Sequence, residues 1–241
     1  MIKVRIIKKI WNRLLDILYP KTCCFCGRVS GQELCDACRE KVFYIREPRC
    51  KKCGKPIRYE EQEYCRDCQK QSFHYIQGKS LWIHKGAVPW SIYQFKYHNR
   101  RIYGRFYAQE LYRLYGKWIR EQKIDLIVPI PLHWWRKRKR GYNQAEIIAR
   151  HLGELTGIPV DAKIVIRKKY TKPQKTLNNK ERVKNLKDVF EIKKTQVSGK
   201  HILLIDDIYT TGSTIDAVSR LLLEKKHNKI WFLTISIGQD F

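Results

Sequence analysis

Apolar positions along this chain recur with two periods, and the switches between them mark its elements. Residues 1–19 place Val4, Ile7, Ile10, Trp11, Leu14, Leu15 and Leu18 at helical spacing, with Lys3, Arg5, Lys8, Lys9 and Arg13 between them. The pattern predicts a basic amphipathic helix stopped near Pro20. Such a helix either lies on a membrane surface or packs its apolar stripe on the protein's own body. Residues 21–75 carry few aliphatic side chains. After Ser72 aromatic and aliphatic residues return. A strand is expected over 77–85, helices over 88–97 (Ile92, Phe95) and 102–120 (Leu111, Leu114, Trp118), and a buried strand over 125–131. A helix follows over 143–156, ended near Gly157 and Pro159. Residues 168–188 are polar and irregular and predict a mobile loop. A second buried strand covers 201–205, a helix 213–226 with Ile215, Val218, Leu221 and Leu222 on one stripe, and a third strand 230–237. Strands alternating with helices mean an α/β domain with a parallel sheet. The expected division is therefore an N-terminal helix over 1–20, a small module over 21–75 and an α/β domain over 76–241.

Cysteine spacing changes the picture of the middle segment. All nine cysteines lie between Cys23 and Cys68, and eight form four C-x-x-C pairs: Cys23/Cys26, Cys35/Cys38, Cys50/Cys53 and Cys65/Cys68. A C-x-x-C turn aims two thiolates at one tetrahedral ion, and two turns complete a four-sulfur shell. Gly27 and Gly54 follow the second cysteine of their pairs, where tight knuckle turns take a positive φ. Two structural zinc ions are expected, with first turn joined to second and third to fourth; cross-bracing of first with third is the alternative. A disulfide framework is disfavoured, because no cleavable signal peptide precedes it. Shells filled by sulfur leave no open position for catalysis. Cys24 is left over.

Composition and charge come next. Of 241 residues 43% are hydrophobic, enough for a core, and no run of 18 apolar residues is present to span a membrane. Lys and Arg number 50 against 23 Asp and Glu, a formal charge of +27. That excess favours an anionic partner: nucleic acid, a phosphorylated substrate or an acidic membrane. Residues 1–75 carry net +8 and residues 76–241 net +19, so the positive field belongs mainly to the α/β part.

The candidate chemistry lies at Ile202-Leu-Leu-Ile-Asp206-Asp207-Ile-Tyr-Thr210-Thr211-Gly212-Ser213-Thr214. A buried strand ends in two carboxylates, a hydroxyl-rich loop follows, and a helix begins. Loop amides converging with a helix N-terminus form an anion site, and Gly212 lets the backbone approach a phosphate. Paired carboxylates repel a phosphate, so they fit sugar hydroxyls or a magnesium ion a few ångströms off. A phosphorylated sugar satisfies both halves. No Ser–His–Asp or H-E-x-x-H arrangement is present, and His133 and His151 are single histidines with structural rather than catalytic expectations. The run Arg136-Lys137-Arg138-Lys139-Arg140 after Trp134 and Trp135 suits a diphosphate. It equally suits single-stranded nucleic acid held by phosphate contact and base stacking, or a solvated turn.

The segment 202–214 resembles the phosphoribosyl-diphosphate (PRPP) motif of type I phosphoribosyltransferases. With LLDILYPKTCCFCG near the start, VPIPLHWWRKRKRGYNQAEIIAR at 128–150 and RKKYTKPQKTLNNKERVKNLKDVF at 167–190, the chain resembles the ComF (ComFC-like) family over almost its whole length. The resemblance implies a type I phosphoribosyltransferase-like parallel-sheet domain preceded by a small Cys-rich zinc-binding module. It implies that Asp206 and Asp207 contact the ribose hydroxyls and that Thr210, Thr211, Gly212, Ser213 and Thr214 hold the 5′-phosphate. It places the diphosphate, with magnesium, near Arg136, Arg140, Gly141, Tyr142 and Asn143, under a flexible loop bearing Arg167, Thr171, Gln174, Arg182 and Asn185. The reaction implied is displacement of diphosphate from ribose C1. The family's role in natural competence further implies single-stranded DNA at Trp134, Trp135, Lys137, Arg138 and Lys139, a helicase partner, and a cytoplasmic location at the inner face of the membrane. The alternative function is a catalytically inactive adaptor in transformation that uses the fold as a scaffold for nucleic acid.

Overall fold

The computed structural model describes residues 20–168, 189–193, 197–224 and 227–239. The expected helix over 1–19 lies outside these residues, as do Thr171, Gln174, Arg182 and Asn185.

Four strands make one parallel sheet: β1 (Gln77–Ile83), β2 (Leu126–Pro129), β5 (His201–Tyr209) and β6 (Lys229–Ile237), in the order β1-β6-β5-β2. The apolar run of β6 is buried from Ile230 to Ile237, as a strand covered on both faces requires. A short antiparallel pair, β3 (Val165–Arg167) with β4 (Phe190–Ile192), stands beside it. On one face pack helices α3 (Val88–Tyr97), α4 (Tyr103–Glu121) and α6 (Gln144–Thr156), around Trp82, Phe106, Tyr107, Ile148 and Leu233. On the other lie α7 (Ser213–Leu223) and the β3–β4 pair, around Tyr209, Val218, Phe190 and Phe232. The short helices α1 (Asp36–Arg39) and α2 (Arg66–Lys70) belong to the cysteine segment, and α5 (Trp134–Arg140) follows β2.

The cysteine segment has no core of its own. Cys23, Cys24, Phe25, Leu34, Cys38 and Val42 join the first core, and Cys50, Cys53, Ile57, Cys65, Phe73 and Tyr75 join the second. Between them, residues 43–45 run antiparallel to β1: Ile45 donates to Leu81 O and Ile83 donates to Phe43 O. The open edge of the sheet is thereby covered. Phe25 meets Trp82 edge-on at 5.3 Å, and Trp82 stacks on Phe106 at 6.2 Å.

Two sequence expectations change. β5 does not stop at Ile205: it runs through the carboxylates to Tyr209, because β6 supplies partners as far as Ile237. The basic run after β2 is not a turn but the helix α5. His133 caps it, its Nδ1 accepting from the Trp135 amide at 3.3 Å, and Gly141 ends it with φ 79°.

Candidate sugar-phosphate site and zinc centres

Asp206 and Asp207 occupy successive positions of β5, so their side chains leave toward opposite faces of the sheet. Asp207 accepts an ion pair from Lys96 Nζ of α3 at 2.8 Å, with both side chains largely covered. Asp206 accepts the Asp207 amide at 2.8 Å. Burial first, then the neighbouring Asp207, push the Asp206 carboxyl up to about 7, while Lys96 and Arg167 act in the opposite sense. Arg167, at the end of β3, is drawn down to about 10 by burial and then by Arg136. Asp207 thus faces Lys96 of α3, while Asp206 feels the charges of Asp207, Lys96 and Arg167 of β3.

Beyond Tyr209 the chain turns through Thr210 to Gly212 into α7. Gly212 adopts φ 77°, and a Cβ there would fall 2.8 Å from Tyr209 Cζ and 3.0 Å from Phe73 Cε1. Only glycine meets both demands. Among the described residues none of the amides from Thr210 to Thr214 donates to a backbone carbonyl. Thr211 Oγ1 and Ser213 Oγ lie 2.9 Å apart. Free amides at the positive end of an 11-residue helix are a ready anion cradle.

Beside the carboxylates opens a cleft of about 500 Å³ lined by Lys96, Tyr97, Asn99, Trp135, Arg136, Lys139 and Arg140. Arg140 stacks on Tyr97 at 4.7 Å and donates to its hydroxyl at 3.0 Å; Lys139 lies 5.5 Å from the Trp135 ring. Trp134 is 63% exposed. The remaining expected residues sit elsewhere. Lys137 turns back to Glu146 at 3.2 Å. Arg138 and Gly141 do not line the cleft. Asn143 is buried as the cap of α6, accepting from the Ala145 amide and donating to Ile130 O at 2.9 Å. Tyr142 is also buried, its hydroxyl donating to Phe95 O. A larger hollow of about 1400 Å³ lies between the cysteine segment and α4, away from the carboxylates.

Residues that the sequence reading passed over complete the surroundings. Lys96 holds Asp207. His74 donates its amide to Asp216 Oδ1 at 2.7 Å. The Tyr75 and Tyr209 hydroxyls pair at 2.7 Å in the core. Trp90, Tyr93 and Tyr97 are exposed on α3. Their spacing of three and four was the available signal, hidden because Ile92 and Phe95 of the same helix explain its buried face.

The eight paired cysteines form two groups, Cys23/Cys26/Cys35/Cys38 and Cys50/Cys53/Cys65/Cys68, each with its sulfurs within 4.8 Å of one another. Cys26 Sγ and Cys35 Sγ are 3.8 Å apart, and Cys53 Sγ and Cys65 Sγ 3.6 Å. Zn–S bonds of about 2.3 Å in a tetrahedron put sulfurs about 3.8 Å apart, so both groups fit zinc. First pairs with second and third with fourth; the cross-braced alternative is set aside.

Comparison with known proteins agrees with this architecture. Residues 14–69 match the double zinc ribbon domain, and residues 104–235 the phosphoribosyl transferase domain. The chain is 32% identical over 221 residues to competence protein F of Haemophilus influenzae, covering 85% of this chain and 91% of that protein. It is 29% identical over 200 residues to competence protein ComFC of Bacillus subtilis, covering 80% and 79%. It is 27% identical over 211 residues to the DNA utilization protein YhgH of Salmonella typhimurium, covering 85% and 91%. A double zinc ribbon folded against a phosphoribosyltransferase domain, together with this kinship over most of its length, makes the chain a member of the competence protein F (ComF) family.

Proposed function

We propose that the pocket between β5 and α7 binds PRPP, and that the protein uses it in the handling of imported DNA, the setting that the names of its relatives suggest. The observation that carries the reading is the junction itself: two carboxylates near the end of a buried strand, then a loop at a helix N-terminus whose amides donate to no backbone carbonyl among the described residues. The amides and hydroxyls of Thr210 to Thr214 suit a terminal phosphate. The carboxylates suit ribose hydroxyls, which donate hydrogen bonds to them. Lys96, Arg136 and Arg140 supply the charge that a diphosphate needs, two of them as bidentate forks. A magnesium ion accompanying the diphosphate wants hard oxygen donors, and Asp206 and Asp207 are of that kind; it would offset charge on the departing group. In a transfer, a nucleophile bonds to C1 as the C1–O bond breaks, and diphosphate leaves with the electron pair. The cations of this chain stabilise that charge, and the pocket holds the sugar in place for attack.

Calorimetric titration with magnesium–PRPP tests the reading. Saturable heat is expected from the unmodified chain, with at least a tenfold loss of affinity in Asp207→Ala. Absence of heat from the unmodified chain overturns it.

A second reading adds single-stranded DNA. Trp90, Tyr93 and Tyr97 stand 40%, 51% and 56% exposed along α3, and Trp135, 45% exposed, lines the same cleft as Tyr97. Aromatic faces interleaved with Arg140 and Lys139 are a platform for unpaired bases and their phosphates. The same surface would serve if turnover has been lost and the protein acts as an adaptor.

A further inference from the structure

The second cysteine group lies close to the phosphate loop, while the first lies on another part of the molecule. Cys68 belongs to α2, which ends at Lys70; five residues later Tyr75 is fully buried. Phe73 stacks on Tyr75 at 5.2 Å, and Lys52, inside the Cys50–Cys53 turn, covers the Tyr75 ring at 5.4 Å. That turn is fastened to β1: Gly78 donates to Lys52 O at 2.8 Å and the Gln77 side chain to Lys51 O at 2.9 Å. Buried Lys55 ties it to α2 through Asp67 at 2.7 Å. From Tyr75 the contacts continue to the loop. Its hydroxyl pairs with that of Tyr209 at 2.7 Å, and both rings rest on Phe232, at 4.8 and 4.9 Å. Tyr209 and Phe73 together fill the space under Gly212. His74 between them donates its amide to Asp216 Oδ1 at 2.7 Å, holding the first turn of α7.

Among the described residues the first group packs elsewhere. Phe25 packs on Trp82 and Phe106, Gly27 lies against Trp90, and the Ser91 hydroxyl donates to Cys24 O at 2.5 Å. Its contacts are with β1, α3 and α4.

We propose that the second zinc site is the mechanical support of the phosphate loop, with His74 and Tyr75 as positioning residues that carry its order to Gly212 and Asp216. The Tyr75–Tyr209 hydrogen bond lies inside a packed aromatic stack, and packed interiors transmit displacement rather than absorb it; the short His74–Asp216 bond ties the same segment to α7 nearer the surface. Loss of metal from the second site frees residues 71–75, releases the Tyr209 hydroxyl and the Asp216 carboxylate, and lets the turn under Gly212 open. Loss from the first site leaves that turn standing. The inference rests on the sugar-phosphate reading only where PRPP affinity is the readout.

The test uses the full zinc-loaded chain and reads hydrogen exchange at the Asp216 amide, which donates to Gly212 O at 2.8 Å. No ligand is needed for this measurement. Cys68→Ser is expected to speed exchange there at least tenfold, whereas Cys26→Ser leaves it within twofold. Tyr75→Phe, with both zinc ions retained, should speed it severalfold. Asp216→Ala should match Cys68→Ser in losing PRPP affinity, and Asp216→Asn, which keeps an oxygen for the His74 amide, should restore it. Oligonucleotide affinity should stay unchanged throughout. Unchanged exchange at Asp216 in Cys68→Ser, or an equal effect from Cys26→Ser, overturns the proposal. Should Cys68→Ser fail to fold, Tyr75→Phe decides, and unchanged exchange there overturns it equally. Failure of the unmodified chain to bind PRPP would sink the proposed function and leave the exchange result standing.

Discussion

Asp206 shows how far a single position departs from its ordinary chemistry. An aspartate in an unfolded chain titrates near 3.9. Burial, and then Asp207 beside it, raise Asp206 to about 7. Between those values the native chain holds a proton that the unfolded chain has released. The folded state therefore loses stability as pH climbs from about 4 to about 7, and above that range the penalty is complete. Asp206→Asn removes the penalty. Its Tm should exceed that of the unmodified chain by a margin that grows between pH 4.5 and pH 8; a margin constant with pH would show that Asp206 is not the group responsible. This residue was legible in the sequence because two adjacent carboxylates ending an apolar strand are hard to explain by packing. Lys96 was not, since a lysine on an amphipathic helix looks like any solvated cation until the fold brings Asp207 to 2.8 Å.

Elements were legible where one face is apolar and the other is not. The helix at 88–97 and the strand at 230–237 emerge almost to the residue. β3 and β4 did not, because three-residue strands draw their order from a partner more than twenty positions away, Val165 facing Ile192. The seven residues of α5 were read as two indoles and a run of cations without an element; the helix exists because a histidine cap and a left-handed glycine close its two ends. The outer face of α3 yields a prediction at this scale. Base stacking on an aromatic side chain contributes about 1–3 kcal/mol. A labelled oligo-dT should bind the unmodified chain with strong salt dependence. Tyr93→Ala with Tyr97→Ala should weaken it at least tenfold and leave the salt slope nearly unchanged. Retained affinity with an unchanged slope would assign the binding to cations elsewhere rather than to these rings.

At the scale of the whole molecule, the zinc ribbons and the sheet fold as one body. Composition divides the chain near residue 75, yet contacts cross that line on both faces of the sheet and along the β1 edge. Residues 21–75 carry few aliphatic side chains, and the buried ones join the cores of the sheet. Zinc binding should therefore stabilise the phosphoribosyltransferase part as well. Metal analysis is expected to find two zinc ions per chain, and a strong chelator should lower the Tm of a single unfolding transition. An α/β transition that stays put while the ribbons melt separately would contradict this. Charge follows the same logic: the cations that line the cleft come from α3, which packs on the face where the first ribbon joins the core, and from α5.

The ninth sulfur adds a practical handle. Cys24 belongs to neither four-sulfur group, is 2% exposed, and has its thiol pushed far up by burial and then by Cys23 and Glu33. Nucleophilic attack requires a thiolate within reach of the reagent, and this position offers neither. An alkylating label applied to the folded protein will therefore pass over Cys24. Every modified cysteine then counts as a vacated metal ligand, so the chain carries a built-in tally of its own ribbon occupancy.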